Sequence, residues 1–260
     1  KITRTPTSNL FPYTTLFRSH REPRFYLTVV WNGQWFKWEN RNTNFLYGQP
    51  DGGPTHDAPQ NGYLNRSRVS LDYIPRDNNH PYRPAIIFRM AEAYLSYAEA
   101  LNESSERMSH KQEILDNLNK IRHRAGIAEY GTGTDENGFT RIKINFSDQK
   151  EVRRLIHKER RVEFVGEGVR YHDLRRWKTA HYGIGNLNEQ GENPDWGVNG
   201  PDYGMNYYGT EYTDQGDNAF FKRTKYMDRV YPRKFYWYPI HQSEIDKDPT
   251  LVQGPFWLGE

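Results

Sequence analysis

Residues Ser147–Ala180 read SDQKEVRRLIHKERRVEFVGEGVRYHDLRRWKTA. Ser147 is placed to cap a helix, and Val152, Leu155, Ile156, Glu159, Val162, Glu163 and Val165 then recur at three- and four-residue steps. That spacing sets an apolar stripe and two carboxylates on neighbouring strips of one helix. Gly166 and Gly168 break it, and a second short helix follows with Val169, Leu174 and Trp177 as anchors.

Between Glu159 and Arg176 the charges are dense and interleaved with apolar residues. A solvated face does not need that interleaving. The pattern predicts a partly buried ion network of Glu159, Arg160, Glu163, Arg170, Asp173 and Arg175, with the arginines of the helix–break–helix folded back onto its carboxylates. The planar guanidinium fork suits this, because it binds a carboxylate in two places. Such a network fixes the angle between two helices and does no chemistry.

The run ERRVEFVGEGVRYHDLRRW, Glu159–Trp177, resembles the signature of the SusD/RagB family of outer-membrane nutrient-binding lipoproteins. Three further stretches resemble the same family in the same order: RPAIIFRMAEAYLSYAEALNE (Arg83–Glu103), ILDNLNKIRHRAG (Ile114–Gly126) and YPIHQSEIDKDPTLVQGP (Tyr238–Pro255). Val169, His241 and Gly254-Pro255-Phe256 depart from the family pattern at positions that carry no chemistry. The resemblance runs from about His20 onward and covers the C-terminal half of such a protein. It implies a surface lipoprotein of the Bacteroidetes type, whose lipid anchor and signal would lie upstream. Such a protein binds glycan and hands it to a SusC-like TonB-dependent transporter. The implied partners include no nucleic acid, and no cofactor or metal is implied.

Leu10–Ser19, LFPYTTLFRS, looks like the translation of a sequencing adapter, so residues 1–19 stand outside the fold reading and 20–260 form the domain. Without Lys1, Arg4 and Arg18 the basic and acidic residues balance at 33 each, and the net +3 supports no nucleic-acid partner. Apolar content is only 35%, but aromatics reach 15%, which argues against disorder. The chain has no cysteine, so it carries neither a disulfide framework nor a cysteine metal site.

Phe25, Leu27 and Val29 alternate with Tyr26, Thr28 and Val30, which predicts a short strand. Trp31, Trp35 and Trp38 then crowd among Asn, Gly and Gln, and Tyr47 follows in a loop rich in Asn, Gly and Pro. Core packing accounts for buried indoles. A ligand platform accounts equally for aromatics beside turn residues and amides, since their faces stack on sugar rings. Both readings stay open, and Trp31, Trp35, Trp38 and Tyr47 are the candidate ligand-binding residues. A second candidate surface spans 181–231, with Trp196, Tyr203, Tyr207, Tyr208 and Tyr212 between Gly, Asn, Asp and Pro; irregular structure packed by its own aromatics is the competing account.

Arg83–Glu103 predicts a helix opened by Pro84, with Ile87, Met90, Ala91, Tyr94, Leu95, Ala98 and Leu101 on one face. Ser109 and Gln112 form a capping box for a partner helix ended by Gly126. Two such helices resemble one tetratricopeptide unit. Residues 130–146 read as a loop in which Asp135, Asn137 and Gly138 hint at a calcium site without its full spacing. Phe220–Tyr226 and Phe235–Ile240 read as short strands or extended segments, and Ser243 as the cap of a last turn.

Glu159 and Glu163, with His157 nearby, could be an acid/base pair or metal ligands. Their arginine-rich surroundings argue otherwise, because ion pairing lowers a carboxyl pKa while a general acid needs it raised. The sequence holds no H-E-x-x-H, G-x-S-x-G or P-loop. The pattern as a whole predicts a mainly helical, tetratricopeptide-like fold with long irregular loops and a few short strands, and the family resemblance implies action by binding alone. The alternatives are a helical-repeat scaffold that binds protein, and a glycoside hydrolase with two carboxyls facing across a cleft.

Overall fold

A computed structural model describes residues 21–67, 69, 77–78, 81–82, 85–183 and 197–258, the Trp38 side chain excepted. Residues 1–19, Pro84 and Trp196, each used in the reading above, lie outside this set. The chain divides into two compact units: the described residues up to Glu167 with Gly204–Thr224, and those of Gly168–Tyr203 with the described residues from Lys225 onward.

In the first unit a short helix, α1 (Pro23–Thr28), leads into β1 (Val29–Trp31). The alternation at 25–30 predicted a strand across the whole run. Instead Pro23 starts a helix, where its missing N–H costs nothing. Only Val29–Trp31 pairs, antiparallel, with β4 (Tyr63–Asn65), and Trp31 faces Tyr63. β2 (Trp35–Phe36) and β3 (Arg41–Asn42) form a second small hairpin around a 3-10 turn at Lys37–Glu39.

Three longer helices carry most of this unit: α2 (Met90–Glu103), α3 (Lys111–Ala125) and α4 (Gln149–Glu163), with α2 packed on both of the others. Leu95 and Ala98 of α2, Ile114 and Leu118 of α3, and Val152 and Ile156 of α4 are wholly buried. These are the residues that helical periodicity places on one face. α2 begins at Met90, not Arg83. Ile86, Ile87 and Phe88 precede it, and Arg89 is extended (φ −144°, ψ 153°) so that its side chain reaches Glu163 and Glu167. A tertiary ion pair thus decides where the helix starts.

Two caps also differ from expectation. α3 follows His110, while the Ser109 hydroxyl donates to the Glu106 carbonyl. α4 is capped by Asp148, whose Oδ1 accepts the amides of Lys150 (2.9 Å) and Glu151 (3.2 Å). Asp148→Ala is expected to cost about 1 kcal/mol, read as a lower urea midpoint at unchanged slope. Gly126 ends α3 in the left-handed region at φ 67°, as a helix C-terminal glycine does. Val165, counted with the apolar stripe, lies past the helix end and is exposed.

A second core of this unit is Phe45, Leu46, Met205, Phe220 and Phe221, flanked by Val30, Tyr63 and Tyr212. Phe220 and Phe221, read as the start of a short strand or extended segment, are buried in turns here, and the strand begins at Thr224. In the loop 130–146, Asp135 is taken up by backbone: its carboxylate accepts the amides of Glu129, Asn137 and Phe139. Among the described residues no group of three acidic or histidine side chains could hold a metal ion.

The second unit holds α5 (Val169–Arg176) and most of a two-stranded sheet of β5 (Gly200–Gly204) and β6 (Thr224–Arg229). It also holds a 3-10 turn at Arg233–Tyr236 and α6 (Gln242–Lys247). Of the run 235–240, read as a short strand or extended segment, the first residues lie in the 3-10 turn and Trp237 is extended. α6 is capped by the His241 side chain, not by Ser243, whose amide donates to the ring.

Candidate ligand-binding surface

The Glu163 carboxylate is almost wholly buried, with its side chain 2% exposed, and it meets three guanidiniums. Oε1 pairs with Arg89 and Arg124, and Oε2 accepts from Arg24 Nη1 at 3.0 Å. Burial pushes this carboxyl up, but the hydrogen bonds from Arg89, Arg124 and Arg24 outweigh it and hold the group below the usual glutamate range. Glu159 Oε2 accepts from Arg122 Nη1 at 2.9 Å, and its Oε1 lies 2.7 Å from Arg24 Nη1. Arg24 also forks onto Glu22 through two 2.8 Å bonds, and Arg89 forks onto Glu167 at 2.7 and 2.8 Å. The rings of Phe164 and Tyr130 lie under Arg89 and Arg122.

The guanidiniums on Glu159 and Glu163 therefore come from α1, the extended residue before α2, and α3. They were expected from the helix–break–helix itself. The reason is reach: side chains of α4 that point into the unit meet the helices packed on it. The other expected members lie elsewhere. Arg160 donates to the Ser96 hydroxyl at 3.1 Å and lies 3.9 Å from Glu99. In the second unit Asp173 is buried and pairs with Arg176 at 2.9 Å. Arg175 donates to the Tyr171 hydroxyl and to the carbonyls of Phe235 and Tyr236, and Arg170 sits half-buried on α5. A glycosidase acid must be reachable and raised in pKa; buried Glu163, held low by three arginines, fits that role poorly.

The candidate aromatics separate into two kinds. Trp31 is half-buried, stacked on Phe25 (5.7 Å between centroids) with Tyr26 at its edge. Those two rings cover part of the indole. Trp35 on β2 is 58% exposed, and its neighbour Phe36 is 38% exposed. Trp38 lies in the 3-10 turn, and its indole is outside the described set.

Tyr47 lies in a group the sequence did not assemble. Its ring stands 6.1 Å from Tyr207 and 5.6 Å from Tyr208, and those two rings meet edge-on at 5.1 Å. Tyr47 of the first candidate group thus meets Tyr207 and Tyr208 of the second, more than 150 residues away in the chain. The loops beneath are fixed by backbone: the Tyr47 amide donates to the Gly209 carbonyl at 2.8 Å, and the Asn206 side chain ties Asp217 and Ala219 to Tyr208. Tyr207 rests on Gly53, where a Cβ would come within 2.5 Å of the ring. Tyr212 donates to Asn44 Oδ1 at 3.1 Å. A bidentate Arg41–Asp51 bridge (2.6 and 2.8 Å) ties the Trp35 hairpin to the Tyr47 loop. Tyr208 is 69% exposed, so the group presents an open ring to solvent. Neighbouring tyrosines between Asn206 and Gly209 are the local trace of this loop; their partnership with Tyr47 leaves none.

The helical unit thus carries loops on which Trp35 and Tyr208 are exposed. The SusD family model matches residues 12–257, and the chain belongs to that family. It is 32% identical over 109 residues to SusD-like protein P25 of Formosa agariphila, covering 42% of this chain and 18% of that one. Over 103 residues it is 32% identical to SusD-like protein P38 of the same organism, covering 40% and 19%. The crystal structure of a SusD-like protein from Bacteroides fragilis superposes with a TM-score of 0.65 at 26% identity, over 94% of this chain and 40% of that one. The chain thus spans well under half the length of these relatives. No described helix is long and apolar enough to cross a membrane.

Proposed function

We propose that this chain is the glycan-holding part of a cell-surface lipoprotein of the outer membrane. It captures oligosaccharide for nutrient uptake and delivers it to a SusC-like TonB-dependent transporter. The observation that carries the reading is the Tyr47–Tyr207–Tyr208 group, with Tyr208 exposed beside two half-buried rings on loops held from beneath, in a chain of the SusD family. Rigid aromatic rings lose little conformational freedom on binding, so most of the stacking gain is kept. Trp35 on its tethered hairpin extends the candidate surface, with Trp38 beside it in sequence. The mechanism is binding alone: rings stack on sugar faces, and neighbouring amides and backbone groups bond the hydroxyls. The α2–α3 pair is read as one tetratricopeptide-type unit that supports these loops.

The test is a glycan panel measured by calorimetry. Binding is expected for at least one oligosaccharide, with Trp35→Ala weakening it several-fold at unchanged thermal stability. A chain that binds no glycan on the panel, or one that releases reducing sugar, refutes the reading.

A further inference from the structure

The first unit carries a groove of about 930 Å³ that shares no residue with the tyrosine group. One strip of α3 forms its floor, Tyr94 of α2 one edge, and the 129–146 loop the opposite wall. Its size is at the upper end of small-ligand sites.

We infer that this groove is a second binding site, for a neutral, hydroxyl-rich ligand of oligosaccharide class. The ligand class rests on the glycan reading above; the site itself does not. Three features of the groove support the inference. First, its charges balance: Lys120, Arg141 and Lys143 face Asp116, Glu129 and Glu136. A polyanion needs an excess of cations, and an apolar ligand would strip water from six charged groups without replacing their hydrogen bonds. A polyhydroxyl ligand can both donate and accept, so it satisfies both signs at once.

Second, the walls are already fixed. The Asn119 side chain is bonded twice to the Tyr130 backbone, donating to the carbonyl at 2.9 Å and accepting from the amide at 2.8 Å. Arg141 donates to Glu129 Oε2 at 2.8 and 3.2 Å, and His123 Nδ1 lies 3.2 Å from Glu129 Oε1. A site whose polar groups are held before binding loses little entropy on occupation. Third, the Lys120 ammonium sits 4.5 Å over the Tyr94 ring, so one edge of the groove combines an aromatic surface with a hydrogen-bond donor.

The experiment is residue-resolved amide NMR of the 260-residue chain, titrated with neutral di- to heptasaccharides, a sulfated oligosaccharide and a peptide mixture. Neutral saccharides are expected to shift the amides of 115–123 and 129–143. Thr132→Trp, which fills the groove from an exposed position, is expected to weaken that response at least tenfold and leave the response around Tyr47 and Tyr208 intact. If the tyrosine loops respond and the groove stays silent, the second site is refuted and the glycan reading stands. If both stay silent, both fail. A groove that responds only to the sulfated ligand or to peptide refutes the ligand class.

Discussion

Glu163→Gln is expected to lower the unfolding free energy by about 3–5 kcal/mol, the scale for removing one partner of a buried ion pair. The substitution keeps the shape of the side chain and removes its charge. Arg24, Arg89 and Arg124 then converge on a neutral amide, and the largely buried Arg24 and Arg89 have little water to replace the lost carboxylate. Urea unfolding at neutral pH measures the change, and a loss under about 1 kcal/mol would mean the guanidiniums are solvated and the network is a surface feature. The effect has a defined pH dependence. The folded carboxyl titrates below its ordinary value of 4.5, so its contribution is complete above 4.5 and fades as pH falls through the folded value. The stability gap between wild type and Glu163→Gln is therefore expected to be full at pH 7 and to shrink steadily below about pH 4.5. A gap that stays constant into acid would show that the charge of Glu163 is not what the arginines hold.

The second large effect is on ligand affinity. Tyr208→Ala is expected to weaken glycan binding about thirtyfold, the equivalent of roughly 2 kcal/mol for an aromatic anchor. Tyr208 is exposed, so the same change should shift stability by no more than about 0.5 kcal/mol. Tyr47→Ala should weaken binding similarly, because its ring lies beside Tyr208. Tyr207→Ala should cost both affinity and stability, since its ring fills the space over Gly53. The distinguishing readout is the ratio of lost affinity to lost stability across the three. Equal and small losses of affinity would show that the tyrosines pack loops and hold no sugar.

Much of the helical frame is legible in the sequence, because each helix face is made by residues three and four apart. Val152, Ile156, Glu159 and Glu163 of the α4 stripe and the Ile114–Leu118–Ile121 face of α3 are buried where that period places them, while Leu155 and Val162 are half-buried. Gly126, Gly166 and Gly168 stand at helix ends with φ of 67°, 78° and 82°, conformations that glycine adopts without strain. The resemblance carried by Glu159–Trp177 matches the family to which the chain belongs. Where local pattern competed with a distant contact, the sequence reading failed. Residues 25–28 alternate like a strand and form a helix. Residues 85–89 continue the apolar pattern of α2 and stay outside the helix, with Arg89 extended and its side chain drawn to Glu163 and Glu167.

By itself, then, the sequence determined the periodic cores of the three long helices, the glycine that ends α3, and that the carboxylates of α4 would need cations. Only the tertiary structure decided which cations those are, and that Tyr47 meets Tyr207 and Tyr208. Helical period is a property of neighbours along the chain. Arg24 and Glu163 lie 139 positions apart, and a pairing across that distance is fixed by how packed helices bring remote segments together, which no local spacing records.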